Sequence, residues 1–470
     1  MLFSSLIFLQ IFLPLLLLCY FGIPGGTRAK NVLLLAASLL FYAWGEPEKV
    51  VILLASIVVN WLIARYGLRF ELDERVRRGA LALGVVLNLA VLAAFKYTIP
   101  VCVFLDDWVH WRMHLPGAVL PLGISFYTFQ SISYLADTFR RQNEPQRDLS
   151  KLALYISFFP QLVAGPIIKY HDIAHEIDDR RTGCAEFAVG IRRFILGLAK
   201  KVLLANCFAV VADDVFAMPI EKLDTLTAWM GAICYTLQIY FDFSGYSDMA
   251  IGLGRLFGFH FPENFDFPYC STSIREFWRR WHISLSTWFK EYLYIPLGGS
   301  RCSRSRWNCN VMIVFLATGI WHGAALNFVV WGVLYGVLIV GENLFWGKLL
   351  EKPAWKPLAR VYTLFLVVMA WVLFRADSLG EAWGYWGRML SFHSDPDLRF
   401  ADLFGPAFPA VLAVGVFLAA PLKGWFPGFV RHLHAGPVGW REIPLLILLL
   451  AAVLVQLAGD TYNPFIYFRF

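Results

Sequence analysis

Long apolar runs separated by short polar connections make up nearly the whole chain. A transmembrane helix needs about 20 residues, whereas a barrel strand needs only about ten alternating ones, so runs of this length indicate helices. Lipid offers no hydrogen-bond partners to the backbone, so only helices and closed barrels span it. The pattern predicts an all-α polytopic membrane protein with about 10 to 13 transmembrane and re-entrant helices. The runs lie at residues 3–21, 31–45, 50–66, 80–97, 119–136, 152–170, 187–212, 225–257, 311–341, 361–374, 408–421 and 442–459.

The composition is that of a protein whose solvent is lipid. Hydrophobic residues make up 58% of the chain and charged residues 16%, whereas soluble domains carry about 25% charged residues. The net charge of +7 fits the excess of basic residues in the cytoplasmic loops of membrane proteins, so we expect no nucleic-acid partner. The eight cysteines include no CxxC pair and are expected to be small hydrophobic residues rather than disulfides or metal ligands.

The connections between the apolar runs differ in charge. Residues 65–78 and 140–151 are rich in arginine and lysine, whereas residues 106–114 are not. Short loops rich in these residues stay in the cytoplasm, so the asymmetry predicts an extracytoplasmic N-terminus. No basic stretch precedes the first run, which is therefore expected to be a retained span rather than a cleaved signal.

His322 lies in a stretch, residues 311–341, that contains no Asp, Glu, Lys or Arg. An ionisable side chain at membrane depth is costly, and it usually faces a cavity in which it has a function. Imidazole titrates near neutrality, which suits proton transfer; the alternative is a core histidine bonded to a neighbouring helix. As one helix the stretch would be about 46 Å long, against a hydrocarbon core of about 30 Å, so we predict a break at the flanking Gly319 and Gly323.

Residues 257–307 mix aromatic and basic side chains and contain no apolar run long enough to span a membrane. With about 3.6 residues per turn, one face of a single helix would carry Phe277, Trp281, Leu285 and Trp288. Such a helix either lies along the membrane interface or walls a polar cavity. In the second case its cations would face an anionic ligand, such as a nucleotide or a phosphopantetheine phosphate.

Two carboxylates, Asp242 and Asp248, lie within an apolar run and would be costly there without partners. We expect them to pair with Arg279 or Arg280, or to accept hydrogen bonds from neighbouring serines. Their predicted role is structural, in the wall of a cavity.

Histidines four residues apart on a helix can chelate a metal, and such pairs occur at positions 110 and 114 and at positions 171 and 175. No HExxH motif accompanies either pair. We therefore expect solvated histidines at the membrane interface and no bound metal. His432 and His434 are interpreted in the same way.

Five motifs resemble those of the membrane-bound O-acyltransferase (MBOAT) family. They read FDFSGYSDMAIGLGRLFG, NF, FWRRWHISLSTW, YLYIPLGG and WHGA, at residues 241–258, 264–265, 277–288, 292–299 and 321–324. The similarity extends over nearly the whole chain, so we expect a single membrane domain over residues 1–470. Its motif core would lie at about residues 240–341, and a C-terminal span with an aromatic tail at residues 442–470.

Within the family, the chain is similar to the bacterial branch that acylates exopolysaccharides and cell-wall polymers, and the alginate-acetylating members look most similar. Members that acetylate peptidoglycan or cellulose, or that D-alanylate teichoic acids, share the same motifs, so these acceptors stay open. The resemblance implies a multi-pass protein of the bacterial inner membrane. The loop charges place the N-terminus on the extracytoplasmic side, and we expect the C-terminus there as well.

The resemblance also implies a funnel-shaped protein with a channel through a thin centre. The family's catalytic histidine corresponds to His322, and its second, more variable histidine to His282. The expected donor is acetyl-CoA, a thioester that enters from the cytoplasm. Its acetyl group would leave on the other face, through a periplasmic SGNH-type serine acetyltransferase, for a polysaccharide.

Acyl transfer requires a base for the acceptor hydroxyl, stabilisation of the oxyanion and a dry site for the thioester. His322 is the predicted general base. His282 either orients His322, donates a hydrogen bond to the thioester carbonyl or has only a packing role. The predicted contacts of the donor are Arg279, Arg280, Trp278 and Asn264.

The C-terminal tail, residues 464–470, is rich in aromatic residues and follows the last apolar run. Such residues usually anchor a chain at the membrane interface. The tail also reads F-x-Y-x-x-F, which resembles the C-terminal motif of the small membrane partner of teichoic-acid D-alanyl transferases, where the tyrosine is a proposed acyl relay. Tyr467 is therefore either an anchor or an acyl relay whose phenol is deprotonated by His322.

Two functions of other classes compete with acyl transfer. A transporter also has polar residues at depth and broken helices, but no inverted repeat is visible in the sequence. A non-catalytic scaffold that anchors a periplasmic transferase would keep its function when His322 is replaced by alanine.

Overall fold

The computed structural model describes residues 1–109, 120–394 and 405–459. In these ranges the chain forms helices and no β-strand, which confirms the predicted all-α polytopic membrane fold. The predicted number of about 10 to 13 spans and re-entrant helices stays a prediction. Six helices are long and apolar enough to cross a membrane, namely Pro47–Gly67, Glu74–Thr98, Cys184–Phe216, Leu326–Leu350, Pro353–Arg375 and Glu442–Gly459. Two shorter apolar helices are Phe8–Gly22 and Phe408–Ala419.

The α-helices are numbered in chain order. The first eleven are Leu13–Gly22 (α1), Thr27–Ala43 (α2), Val50–Leu62 (α3), Glu74–Val109 (α4), Ile124–Phe139 (α5), Leu149–Ser157 (α6), Phe159–Leu162 (α7), Tyr170–Asp178 (α8), Cys184–Ala199 (α9), Asn206–Phe216 (α10) and Thr225–Leu256 (α11). The others are Ile274–Arg280 (α12), Ile283–Phe289 (α13), Arg304–His322 (α14), Leu326–Gly341 (α15), Gly347–Leu350 (α16), Lys356–Arg375 (α17), Leu379–Leu390 (α18), Phe408–Ala419 (α19), Leu422–Trp425 (α20), Pro427–Ala435 (α21) and Glu442–Gly459 (α22).

Short π-helical and 3₁₀ turns extend or join several of these helices. The π-helical turns are Phe8–Phe12, Ile63–Gly67, Lys200–Ala205, Lys290–Tyr294 and Glu342–Trp346. The 3₁₀ turns are Pro47–Lys49, Ile220–Lys222, Pro268–Cys270 and Pro353–Trp355.

The chain divides into two compact units. The first comprises Met1–Ile191 and Ala250–Pro262, and the second comprises Arg192–Met249 and Glu263–Phe470. All the predicted site residues that lie in the described ranges, namely those other than Tyr467, belong to the second unit. The single domain over residues 1–470 stays a prediction.

Phenylalanine rings and a pair of buried amides stabilise the first unit. Phe3 and Phe8 pack with centroids 5.1 Å apart, and both contact Phe41, at 5.6 and 5.9 Å. Asn60 on α3 and Asn88 on α4 exchange side-chain hydrogen bonds of 3.2 and 2.7 Å. Because lipid leaves amides without partners, this exchange holds the two helices together.

The second unit is built around the hairpin of α14 and α15, which approach each other through glycines. A methyl group on Gly319 would lie 2.4 Å from the backbone oxygen of Phe328, and one on Gly332 would lie 2.3 Å from that of Phe315. Small residues permit such close packing of helices in membranes. The close approach buries Trp331, which lies in the aromatic core of this unit.

The predicted break within residues 311–341 is confirmed. α14 ends at His322, and the next residue, Gly323, is extended with φ −177°. A Cβ at Gly323 would lie 2.5 Å from the ring of Phe328, so a larger residue where the two helices join would have to displace that ring. Gly319 does not break the helix and serves only as a packing position.

The two carboxylates of α11 pair with cations at the end of α9, not with the predicted arginines of α12. Lys201 Nζ lies 2.7 Å from Asp242, and Lys200 Nζ and Arg193 Nη2 each lie 2.6 Å from Asp248. Lys200 and Lys201 lie in a π-helical turn, which changes the direction of the side chains relative to a regular α-helix. The two consecutive lysines therefore reach different carboxylates of α11. The expectation of pairing with α12 was wrong because the sequence pattern does not specify which helices meet.

We expect Gly332→Ala to lower the apparent melting temperature of the purified protein in detergent by several degrees. The added methyl group would lie 2.3 Å from a backbone oxygen of α14 and force the hairpin apart. Overpacking of this kind costs about 1–3 kcal/mol. Gly387→Ala on α18 is the matched control, because no atom lies within 4 Å of its added methyl group. Equal melting temperatures for the two variants would contradict the close packing.

Candidate active site

His322 is the last residue of α14 and lies among aromatic rings. Its ring centroid is 5.2 Å from that of Trp331 and 5.1 Å from that of Phe374, at interplanar angles of 86° and 85°. Trp321 lies 4.8 Å away, and the histidine is only 8% exposed. Edge-to-face contacts of this kind fix the orientation of a ring. The imidazole is therefore held in one orientation where little water reaches it.

His282 lies at a helix break that the sequence pattern did not predict. We expected one helix across residues 277–288, but α12 ends at Arg280 and α13 begins at Ile283. Between them His282 is left-handed (φ 44°, ψ 56°), a conformation that costs about 1–2 kcal/mol in a residue with a side chain. The single helix was therefore wrong, although all the side chains of its predicted apolar face are buried.

Asn264 supplies hydrogen bonds that replace the missing helical ones. Its backbone oxygen accepts from Ile283 N at 2.9 Å, and its Oδ1 accepts from Ser284 N at 3.0 Å and Ser284 Oγ at 2.9 Å. Asp266 N donates to the carbonyl of Arg280 at 3.0 Å. A strained backbone persists where its surroundings fix it, and such positions cluster at functional sites.

The ring of His282 is buried and neutral. Its Nδ1 lies 3.4 Å from Asn264 Oδ1, and its ring centroid lies 4.6 Å from that of Phe243. Burial lowers the pKa of His282 to about 3, because the imidazolium would lose its hydration. Since Asn264 Oδ1 can only accept, Nδ1 carries the proton of the neutral ring. An imidazole this difficult to protonate is a poor general base.

Four aromatic residues connect the surroundings of the two histidines, and we call them the aromatic lattice: Trp281, Trp331, Trp371 and Phe374. Trp371 lies 4.9 Å from Trp281, 6.1 Å from Trp331 and 5.6 Å from Phe374, measured between ring centroids. Trp281 directly precedes His282, and the other end of the lattice contacts His322. The lattice therefore packs around His322 and extends through one buried core to the residue before His282.

A cleft of about 790 Å³, here called the basic cleft, opens between α12, α13, α14 and the turn Lys290–Tyr294. Its lining includes Thr318, one turn before His322, and Ile283, the residue after His282. Trp278 forms part of its wall and contacts Trp331 of the aromatic lattice at 5.7 Å. The cleft has the volume of a small-molecule site. Neither histidine lines it, but residues of the same helix turns do.

Cations gather where the basic cleft is exposed. Arg275, Arg279, Lys290 and Arg304 all line it, and the last three are exposed. Within the described ranges none of the four forms an ion pair, and the guanidinium of Arg275 lies 5.9 Å from the ring of Trp307. Cations without carboxylate partners favour an anionic ligand, such as one that carries phosphates.

The structure separates the four predicted donor contacts. Trp278 and Arg279 line the basic cleft, whereas Arg280 and Asn264 do not. Arg280 lies 2.7 Å from Glu276, one turn earlier on α12, which turns its guanidinium away from the cleft. Asn264 lines a different cleft and braces the helix break.

Arg304 and Thr318 are among the lining residues of the basic cleft that were not predicted. Arg304 begins α14 within the basic run at residues 301–306, which is the only sequence signal for it. Thr318 lies on the charge-free part of α14, and nothing in its sequence context marks it. Both become visible only once α14 packs beside α12 and α13.

Among the described residues, no group of three or more His, Cys, Asp or Glu side chains is arranged to hold a metal. His171 lies 3.1 Å from Asp137 and 3.2 Å from Asp172, and hydrogen bonds to these carboxylates raise the pKa of His171 to about 9. Positions 110 and 114 and Tyr467 lie outside the described residues. The expectation that no metal is bound stays a prediction.

Comparison with known proteins gives relatives along the whole chain. A probable alginate O-acetylase of Azotobacter vinelandii is 38% identical over 100% of both chains. A peptidoglycan O-acetyltransferase of Helicobacter pylori is 36% identical and covers 81% of this chain and 78% of its own. A teichoic acid D-alanyltransferase of Bacillus subtilis is 28% identical over 53% of this chain and 65% of its own.

The sequence model of the membrane-bound O-acyltransferase family matches residues 76–379. This range contains both histidines, the aromatic lattice and the basic cleft. Together with relatives more than 30% identical over full length, the match shows the family. The chain therefore belongs to the membrane-bound O-acyltransferases and is a multi-pass membrane acyltransferase.

Proposed function

We propose that this protein transfers an acetyl group from cytoplasmic acetyl-CoA, across the bacterial inner membrane, for the O-acetylation of alginate outside the cell. The observation that carries the proposal is the basic cleft, whose exposed cations form no ion pair among the described residues and whose lining includes Thr318, one turn before the buried His322. The full-length similarity to probable alginate O-acetylases supports alginate as the acceptor.

The charge of the cleft supports a coenzyme A thioester as the donor. The phosphates of the nucleotide would lie beside Arg279, Lys290 and Arg304, where no carboxylate competes for them within the described ranges. The pantetheine arm would follow the aromatic wall inward past Trp278. The thioester would then lie near the end of α14, where His322 lies.

The proposed reaction needs one proton transfer and one acyl transfer. His322 takes the proton of the acceptor hydroxyl, the hydroxyl oxygen attacks the thioester carbonyl, and the C–S bond breaks. The proton then passes to the leaving thiolate, which gives the acetyl ester and coenzyme A. The indole N–H groups of Trp278 and Trp331 have no hydrogen-bond partner among the described residues, so either can donate to the developing oxyanion.

His282 has a positioning role in this proposal. Its neutral ring braces the break between α12 and α13, and Trp281 beside it belongs to the aromatic lattice that contacts His322. Replacing His282 would loosen the site without removing the base.

The acceptor side of the proposal rests on the orientation of the chain. The basic connections predict an extracytoplasmic N-terminus, and we extend this to the C-terminus, where Tyr467 would be able to receive the acetyl group as an aryl ester. A periplasmic SGNH-type serine enzyme would then pass it to the polysaccharide. Peptidoglycan or cellulose O-acetylation, teichoic-acid D-alanylation and a non-catalytic transporter or scaffold are the alternatives.

We expect His322→Ala and the closer isostere His322→Gln to lower acetyl transfer by at least about 100-fold, since general-base catalysis contributes roughly 10²–10⁴-fold. The readout is acetate released by saponification of surface glycans from cells that carry each variant. His175→Ala, which removes an exposed histidine on α8, is the control and should leave acetylation unchanged.

Membrane insertion and melting temperature should stay near wild type in both His322 variants. A folded His322 variant that still acetylates the glycan would identify the protein as a scaffold. His282→Ala should cost less activity than either change, and a complete loss with normal folding would assign His282 to the chemistry itself.

We expect Arg279→Ala to raise the KM for acetyl-CoA by about tenfold and to leave kcat nearly unchanged, because it removes one charge-assisted contact to phosphate. The measurement is acetyl-CoA turnover by purified protein in detergent, at low and at high salt. Arg301→Ala is the control, because Arg301 is exposed nearby but does not line the cleft. Equal KM values for the two variants would contradict binding of the donor in the basic cleft.

The same assay tests which thioester is the donor. If the protein accepts only a carrier-protein thioester, the D-alanyl transfer branch is indicated.

Tyr467→Phe separates the acyl relay from the anchor, since it removes the hydroxyl and keeps the aromatic ring. If Tyr467 is the relay, this variant should lose acetylation of the glycan and still release coenzyme A slowly from acetyl-CoA. Wild-type acetylation by this variant would show that the tail is an interfacial anchor. Phe465→Leu is a control for general disturbance of the tail and should have little effect on activity.

A further inference from the structure

A second cleft in the same unit, of about 490 Å³, is not used by the proposed reaction, and we call it the side cleft. Its lining comes from the end of α9 and its π-helical turn, from α11, from residues 263–267 and from the four C-terminal helices α19 to α22. It shares no lining residue with the basic cleft.

Ion pairs with balanced charge form one part of the side cleft. α9 and α11 touch here, since a Cβ on Gly197 would lie 2.6 Å from the backbone oxygen of Gly245. This contact places Arg193 and Lys200 beside Asp248, and Arg193 also pairs with Glu263. Two cations and two carboxylates cancel. Burial and the charge of Arg193 lower the pKa of His434, also in the lining, which keeps it neutral.

Several buried polar groups of the side cleft lack hydrogen-bond partners among the described residues. They are the hydroxyls of Ser244 and Ser247, Nδ2 of Asn264 and Nη1 of Arg193. All four residues are less than 5% exposed, and all four line the side cleft. Each of these groups can donate a hydrogen bond, and a buried donor without an acceptor costs about 1–3 kcal/mol. The cleft is therefore ready for a ligand that brings acceptor oxygens.

The opposite wall of the side cleft is apolar and continues to the outside of the protein. Val411, Val414 and Leu418 lie on one face of α19 and line the cleft, as does Leu449 of α22. Val414 is 48% exposed, and α22 is a candidate span of which only 6% is buried. A helix this apolar and this exposed faces lipid, so the side cleft is accessible from the membrane.

We propose that the side cleft binds a membrane glycerolipid, with its ester carbonyl oxygens at Ser244, Ser247 and Asn264 and an acyl chain along α19. Donors without net charge select neutral acceptor oxygens, which the ester region of a glycerolipid supplies beside its hydrocarbon chains. A saccharide would match the donors but would leave its hydroxyls unpaired against the valines and leucines.

Lipid in the side cleft also bears on the candidate active site through one residue. Asn264 offers Nδ2 to the side cleft, while its Oδ1 holds Ser284 and lies 3.4 Å from His282 Nδ1. A lipid oxygen bound to Nδ2 fixes the orientation of this amide. The lipid is therefore a positioning ligand for the break between α12 and α13.

The test uses the purified full-length protein in nanodiscs that contain a diacyl phosphatidylethanolamine with a diazirine in one acyl chain. After irradiation, labelled peptides should include residues 410–418 and 433–449. Val414→Trp should reduce this labelling by at least about fivefold, because the indole occupies the space of the chain. Val416→Trp is the matched control, since Val416 is 53% exposed on the same helix and does not line the cleft.

A second arm tests recognition of the ester oxygens. Unlabelled diacyl lipid should compete at least about threefold better than its dialkyl ether analogue, and the double variant Ser244→Ala, Ser247→Ala should remove this difference by deleting two donors. Phosphatidylglycerol should compete as well as phosphatidylethanolamine, because the cleft carries no net charge.

Three results would overturn the proposal. Equal labelling of the Val414→Trp and Val416→Trp proteins would show that the probe reports only lipid at the outer surface of the protein and none in the side cleft. Equal competition by ester and ether lipids in the wild type would exclude recognition of the carbonyls. Displacement of the lipid by a soluble oligouronate would assign the side cleft to the polysaccharide instead. None of these readouts depends on acetyl transfer, so they are independent of the proposed function.

Discussion

The contacts between His322 and the rings around it are the constraint on which the candidate site depends. An ionisable side chain at the end of a membrane helix is costly, and it can act in catalysis only if its orientation is fixed and water is excluded. Trp331 and Phe374 meet these needs by lying edge-on to the imidazole. Trp331 lies on α15, so its position depends in turn on the close approach of α14 and α15 at Gly319 and Gly332, whereas Phe374 comes from α17. Backbone packing of the hairpin is thus linked to the orientation of one of the two rings that hold His322.

The two clefts of the second unit differ in charge, and this difference separates their ligands. The basic cleft carries cations without carboxylate partners among the described residues, whereas in the side cleft Arg193 and Lys200 are matched by Asp248 and Glu263. An unbalanced set of cations favours a polyphosphate, and a balanced set with unused donors favours a neutral, oxygen-rich ligand. Asn264 lines the side cleft, and its hydrogen bond to the backbone after His282 stabilises the break between α12 and α13. The proposed lipid and the proposed donor would therefore both bind next to this break.

The apolar pattern was enough to predict an all-helical membrane protein, because helices in lipid must be long and apolar. It was also enough to predict the break at Gly323, since residues 311–341 are too long for one span. It did not predict the break at His282, because the bonds that hold it come from Asn264, 18 residues away in the chain. The partners of Asp248 were missed for the same reason, since periodicity describes the face of one helix and not its neighbour.

The most direct measurement of whether the basic cleft delivers a thioester to His322 is photolabelling with a coenzyme A thioester that carries a diazirine in its acyl group. Purified protein would be irradiated with this probe, digested, and the labelled residues assigned by mass spectrometry. If the cleft serves the donor, the label should lie on the last two turns of α14 and on α13, and excess acetyl-CoA should compete it away. Label that lies on α19 or in the first unit, or that acetyl-CoA does not displace, would contradict this role of the cleft.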